Sequence, residues 1–307
     1  MGNLSVEESI AFIRQHCREL KPKVVVRCIT FNHGLYIREA LESLVMQQTD
    51  FPYVVIVHDD VSCDSTQDII KEYAQKYPDI ILPIFETENQ YSKRDGSFYK
   101  IITEATEATG ADYVALCEGD DFWTDNLKLQ KEADFLDQNP EFGLCCTDCL
   151  QLENSETKPF ILTTQSIISF KSLLQKNQVA TLTVMYRRKF IQPYSALQIS
   201  KYKFPLGDYP LWLFIASQSK LRHFDFSTAC YRVLPESASH TSDLKKRLLF
   251  LLGYFEIQIL FSKGYPWLRF KAKINRIKTI LKYSLKKRSL GFLKYIFHYQ
   301  YLRNANF

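Results

Sequence analysis

The sequence predicts an α/β fold built on a mostly parallel central sheet. Three observations carry that prediction. Strand-like apolar runs alternate with amphipathic helices from residue 24 onward, the strands are apolar throughout, and acidic residues gather just past the strand ends. Regular strand–helix alternation points to right-handed βαβ units, and strands apolar on both faces require cover on both.

The elements follow in order. Val6, Ile10, Ile13 and Cys17 recur at helical spacing in a short leading helix over residues 1–19. The run VVVRCITF (24–31) reads as the first strand and YIREALESLVMQQ (36–48) as the first covering helix. YVVIV (53–57) is a second strand, followed by a helix over 65–77 opened by a Ser or Thr cap. IILPIF (80–85), a helix around 96–109 and DYVALCE (112–118) complete the pattern. Beyond residue 150 regularity weakens, with strand candidates at 181–186 and 221–226 and a helix from Asp208 to Ala216. The main domain is therefore set at 20–243, with halves 20–148 and 149–243.

Charge draws the last boundary. Residues 244–307 hold 15 Lys or Arg against one acid, Glu256, leaving 24 basic and 33 acidic residues upstream. The stretch is aromatic and helix-permissive, and Gly253, Gly264, Pro266 and Gly291 divide it into two or three helices. This basic helical appendage suggests a second task within one chain. Its longest apolar stretch, Leu248 to Phe261, contains Glu256 and is too short to span a bilayer. Glu7 and Glu8 stand where a secretory signal would be basic and then apolar, so a cytoplasmic, non-spanning protein is expected. Eight scattered cysteines do not form a secreted disulfide framework. The cluster Cys145, Cys146, Cys149 lacks a second CxxC or a spaced His pair, which favours reduced thiols on a strand over zinc.

In parallel α/β sheets ligands sit at the carboxyl ends of strands. There the first strand delivers Thr30-Phe31-Asn32-His33, the second His58-Asp59-Asp60 through Thr66, and the fourth Glu118-Gly119-Asp120-Asp121-Phe122-Trp123. Acids crowded at one edge need a counter-charge, and a hard divalent cation with oxygen ligands is the simplest. Neither GxGxxG after the first strand nor a P-loop is present.

Taken in order, VVVRCITFNH, HDDVSCDST, YPDIILPIFETENQY and ALCEGDDFWTDNLKLQKEADFL make residues 24–148 resemble family 2 glycosyltransferases of bacterial polysaccharide assembly. The resemblance implies a GT-A-like sheet and transfer of one sugar from a nucleotide-sugar donor, with a UDP-sugar the first choice. It places Thr30, Phe31 and Asn32 at the nucleotide-sugar site, with Phe31 beside the base. Asp60 would bond the base or ribose, Asp120 the ribose, and Asp121 the Mn2+ or Mg2+ that bridges the diphosphate. An inverting transfer also needs a base for the acceptor hydroxyl. Asp208, in FPLGDYPLW, resembles that base and is also well placed to cap the helix it precedes. His240, in YRVLPESASHT, is the candidate for a metal or pyrophosphate contact. The Gln-x-x-Arg-Trp segment of processive synthases is missing, so a single addition to a glycan or lipid-linked acceptor is expected.

Competing readings stand beside these. Asp64 serves equally as a helix cap, Phe122-Trp123 as packing, His33 and His58 as members of a polar network, and Lys93-Arg94 as a solvated loop. The tail's cations interleave with Phe, Tyr, Leu and Ile. Docking on an anionic membrane surface at the inner face of the cell membrane explains both features better than nucleic-acid binding, and packing on the body is the alternative. A sugar nucleotidyltransferase and an inactive scaffold relative are the two rival functions. The former would carry a Gly-rich basic loop where Thr30-Phe31-Asn32-His33 stands.

Overall fold

A computed structural model describes residues 4–93, 95–234, 241–287 and 290–302. His240 and Arg94 lie outside the described residues.

The first half follows the alternation. Helix α1 (Val6–Leu20) opens with a reciprocal cap, Ser5 Oγ accepting the Glu8 N–H while the Glu8 carboxylate accepts the Ser5 N–H. Strands β1 (Val24–Thr30), β2 (Tyr53–Asp59), β3 (Ile81–Phe85) and β4 (Tyr113–Leu116) are joined through helices α2 (Ile37–Val45), α3 (Thr66–Lys76), α4 (Gln90–Lys93) and α5 (Ser97–Ala108). They lie side by side as β3-β2-β1-β4, all parallel. Side chains alternate along β1: Val25 enters the core shared with α1 and α5, and Val24, Val26 and Cys28 the one covered by α2 and α3. Thr30 pairs with Asp59, so β1 and β2 end flush at one sheet edge.

The second half departs from simple alternation. It comprises β5 (Phe122–Trp123), α6 (Lys128–Gln138), β6 (Phe142–Glu153), β7 (Glu156–Phe160), β8 (Ile167–Ile168), α7 (Phe170–Gln175), β9 (Met185–Arg187), α8 (Ile191–Ala196), α9 (Tyr209–Ala216) and β10 (Lys220–Arg232). The sheet continues β4-β9-β6-β10-β5. The short β9 runs antiparallel between β4 and β6, and the long β6 and β10 are parallel. The strand expected over 181–186 is split: Thr181–Thr183 form a 3-10 turn and only Met185–Arg187 join the sheet. Local bonding explains this, since the Thr183 N–H returns to the Ala180 carbonyl instead of a ladder.

All eight cysteines are unpaired. Cys145, Cys146 and Cys149 lie on β6 and alternate between the two cores, where burial pushes the Cys149 thiol up to about 12. They behave as small apolar residues.

Helices α10 (Leu244–Phe261) and α11 (Pro266–Lys286) form the basic C-terminal part. Their inner sides share the body's core through Ile257, Ile259, Leu268 and Ala272. The Tyr254 ring stacks on Tyr209 at 5.2 Å, and Gln258 Nε2 donates to the Leu174 carbonyl at 2.7 Å. A buried ion pair joins the two helices: Arg276 donates to the Glu256 carboxylate at 3.3 Å. That carboxylate also accepts the N–H groups of Gln300, Tyr301 and Leu302, pinning this segment against α10. Both charges have partners, which a buried pair requires.

Candidate active site

The strand register brings the acidic segments together. The Asp60 N–H donates to the Thr30 carbonyl at 3.1 Å and the Gly119 N–H to the Ile29 carbonyl at 2.9 Å, so both motifs flank the end of β1. Gly119 is required by that approach: a Cβ there would lie 2.7 Å from Thr30 Oγ1 and 2.9 Å from Ile37 Cδ1. Thr30 Oγ1 is buried and has no hydrogen-bond partner among the described residues.

On the side of the site next to β2, Phe31 is 45% exposed at the mouth of the strand edge. Asn32 sits at φ 54° and ties two loops, its Oδ1 accepting the Cys63 N–H while its own N–H donates to Ser62 Oγ. Asp60 is buried, and its two oxygens accept the N–H groups of Gln90 and Tyr91 at 2.7 and 3.1 Å. It thereby holds the loop after β3 against the site. The next residue, Val61, has φ 66°, a strained conformation for a β-branched side chain. Asp64 takes the local role weighed for it, accepting from Thr66 and from the Gly34 N–H.

On the β4 side the carboxylates crowd. Burial, then Asp120, then Asp208 push the Glu118 carboxyl up to about 8. Burial and the neighbouring Asp120 and Glu118 also hold Asp121 well above the usual carboxylate range. Asp121 Oδ1 accepts the Arg232 N–H at 2.8 Å, and His33 Nε2 stands 3.9 Å from Asp120 Oδ2. Asp208 enters from the other half of the domain at the start of α9. Its Oδ1 accepts the Tyr209 N–H at 2.7 Å and its Oδ2 the Thr181 hydroxyl at 2.6 Å. Asp208 thus caps the helix, and its charge is one of those that disfavour an ionised Glu118.

Several other residues resolve to structural partners. Trp123 is buried with its indole N–H on the Leu182 carbonyl. His58 pairs with Glu86 at 2.9 Å, and Lys93 with Glu88. Three residues join the site that carried no role from the sequence. Glu118 was visible in the acidic run. Thr181 and Arg232 had no local signal, because only the sheet order brings them to Asp208 and Asp121. The Arg232 side chain donates to the Asp120 carbonyl and to Glu39 and stacks 4.8 Å from Tyr36 and 5.4 Å from Phe122.

Among the described residues no three His, Cys, Asp or Glu side chains form a group that could hold a metal by themselves. The donor set still suits a hard cation shared with a ligand. Asp121 keeps one oxygen outside the Arg232 contact, and Mg2+-type sites use one or two carboxylates completed by substrate phosphates and water. A separate cleft of about 660 Å³ opens at the opposite, amino-terminal edge of the parallel strands, lined by Arg14, Arg18, Lys21 and Asp112. It contains none of these carboxylates.

The architecture, a curled mostly parallel sheet flanked by helices, is that of GT-A glycosyltransferases. Residues 26–192 match the model of Glycosyl transferase family 2, and the chain belongs to that family. It is 38% identical over 166 residues to the Mycobacterium tuberculosis protein Rv1520, a match covering 52% of this chain and 46% of that one. It is 31% identical over 94 residues to the dTDP-rhamnosyl transferase RfbG of Shigella flexneri, covering 31% and 32% of the two chains. The chain thus spans about half or less of these relatives' length. Among solved structures, Staphylococcus aureus TarS 1–349 in complex with UDP superposes with a TM-score of 0.57 at 17% identity, over 88% of this chain and 74% of that one. That likeness concerns the fold.

Proposed function

We propose that the chain transfers a single sugar from a nucleotide-sugar donor to a glycan or lipid-linked acceptor, with inversion and with Mn2+ or Mg2+. The observation that carries this reading is the crowding of Glu118, Asp120 and Asp121 past one strand end, with the charge of Asp208 from the other half of the domain acting on Glu118. Phe31 offers an aromatic face to the base, and Asp60 with its loop bounds that pocket. Thr30, Asn32 and Asp120 line the ribose and diphosphate side. Asp121 holds the cation, which when bound stabilises negative charge on the departing diphosphate. Asp208 accepts the acceptor hydroxyl's proton, oriented for that by the Thr181 hydroxyl and the α9 amide.

The crowding of acids favours a transferase over a nucleotidyltransferase, because Thr30-Phe31-Asn32-His33 supplies no basic phosphate loop. Unpaired cysteines fit a cytoplasmic setting. The test is incubation of the protein with Mn2+ and a panel of UDP-, dTDP- and GDP-sugars. Release of a nucleoside diphosphate supports the reading. Pyrophosphate chemistry, or no metal-dependent nucleotide binding with any donor, overturns it.

A further inference from the structure

We propose that the outward face of α11 is a docking surface for an anionic lipid bilayer. The helix has two apolar sides. The inner one, Leu268, Ala272 and Ile280 with Arg276, packs into the protein. On the opposite side Trp267, Phe270, Ile274, Leu281 and Leu285 recur at spacings of three, four and seven, which aligns them in one stripe along the axis. Trp267, Phe270, Leu281 and Leu285 are 71%, 55%, 43% and 78% exposed, and the Trp267 and Phe270 rings stack at 5.9 Å. Single exposed apolar residues are ordinary on a soluble protein, whereas an aligned row with two aromatic rings marks an interaction surface.

Charge selects the occupant. Lys271, Lys278 and Lys282 run along one flank of the stripe and Lys273 along the other, all exposed. The sole acid from residue 244 onward, Glu256, is buried and engaged by Arg276. Helix α11 itself carries no acid, so the charge it presents outward is positive, and an apolar row edged by lysines matches an interface of acyl chains under anionic headgroups. Tryptophan at the rim suits the same boundary. A 21-residue helix is about 30 Å long and is fixed to the body by its inner side, so it lies along the surface. Among the described residues no helix is long and apolar enough to cross a membrane. This surface is separate from the carboxylate site, so its test does not depend on sugar transfer.

Truncating the chain would uncover α9 and the main core, so substitutions on the exposed side are the proper probe. The full-length protein is mixed with phosphatidylcholine vesicles with and without phosphatidylglycerol and sedimented. Binding is expected with phosphatidylglycerol, weaker without it, and released as salt rises. The double variant Trp267→Ser with Leu285→Ser should bind roughly tenfold or more weakly, as should Lys271→Glu with Lys278→Glu and Lys282→Glu. Unchanged thermal melting establishes that the variants are folded. Trp123 and Trp212 are buried, so a blue shift of emission on adding vesicles reports Trp267. Equal vesicle binding by wild type and variants overturns the proposal. So does a wild-type dimer that the Trp267→Ser, Leu285→Ser variant converts to monomer, which would make the stripe a self-interface.

Discussion

The backbone N–H of Arg232 donates to Asp121 Oδ1 at 2.8 Å, joining the end of β10 to the loop between β4 and β5. This contact stabilises a carboxylate that its neighbours and its burial disfavour. Asp121→Asn should therefore raise the melting temperature of the metal-free protein while weakening Mn2+-dependent nucleotide binding by more than about 100-fold, since even outer-sphere changes at metal sites cost 10–100-fold. Thermal shift with and without Mn2+ measures both effects. A variant that still shows a full Mn2+-dependent shift would remove Asp121 from the metal site.

Glu118 gives a pH dependence. Its folded value of about 8 lies above its ordinary 4.5, so between those limits the folded state keeps a proton the unfolded chain has released. Stability of the metal-free protein should accordingly fall as pH rises from 4.5 to 8. Added Mn2+ supplies the missing positive charge, so its stabilising shift should grow over the same range. Glu118→Gln should flatten the pH slope of the metal-free protein, read from melting curves at a series of pH values.

In the proposed reaction Asp208 is the base and Thr181 the residue that orients it. Asp208→Asn should lower transfer by about 10²-fold or more with little change in donor affinity. Thr181→Val removes a hydrogen bond to a charged acceptor, worth about 1.5 kcal/mol or roughly tenfold. Because that bond orients the Asp208 carboxylate and touches no donor group, its loss should lower turnover and leave donor affinity unchanged. A merely structural threonine would instead lower the melting temperature and donor binding along with activity.

Gly119 tests the close approach of β1 and β4. Gly119→Ala places a methyl group against Thr30 and Ile37, both fixed by surrounding structure. A loss of about 1–3 kcal/mol in stability is expected from such overpacking, together with weaker nucleotide binding. Denaturant unfolding and nucleotide titration would show the two effects together.

Much of this was legible in the residues themselves. The unbroken apolar run Val24, Val25 and Val26, buried on both faces of the sheet, and the helical spacing of Ile37, Ala40, Leu41 and Leu44 are local properties, so the parallel half followed from the chain's pattern. The position of Asp60, Asp120, Asp121 and Asp208 beside element ends was also readable, because each stands next to an element whose end is marked by apolar residues. Thr181 and Arg232 were not, since their roles depend on which strands become neighbours. The split of 181–186 into a turn and β9 was equally hidden, because where the local turn ends and the ladder begins depends on β4 and β6, the strands that β9 joins.

The sequence by itself determined the fold class, the acidic strand ends and the basic excess after residue 244, all of which rest on residue type and short-range spacing. Only the tertiary structure decided which oxygens of Asp60, Asp121 and Asp208 are already bonded, and how α11 divides into a buried side and an exposed apolar row. The physical reason is the same in each case. A hydrogen bond or a buried face needs a partner brought from far along the chain, and α11 is apolar on two sides, so its spacing cannot say which side meets the core.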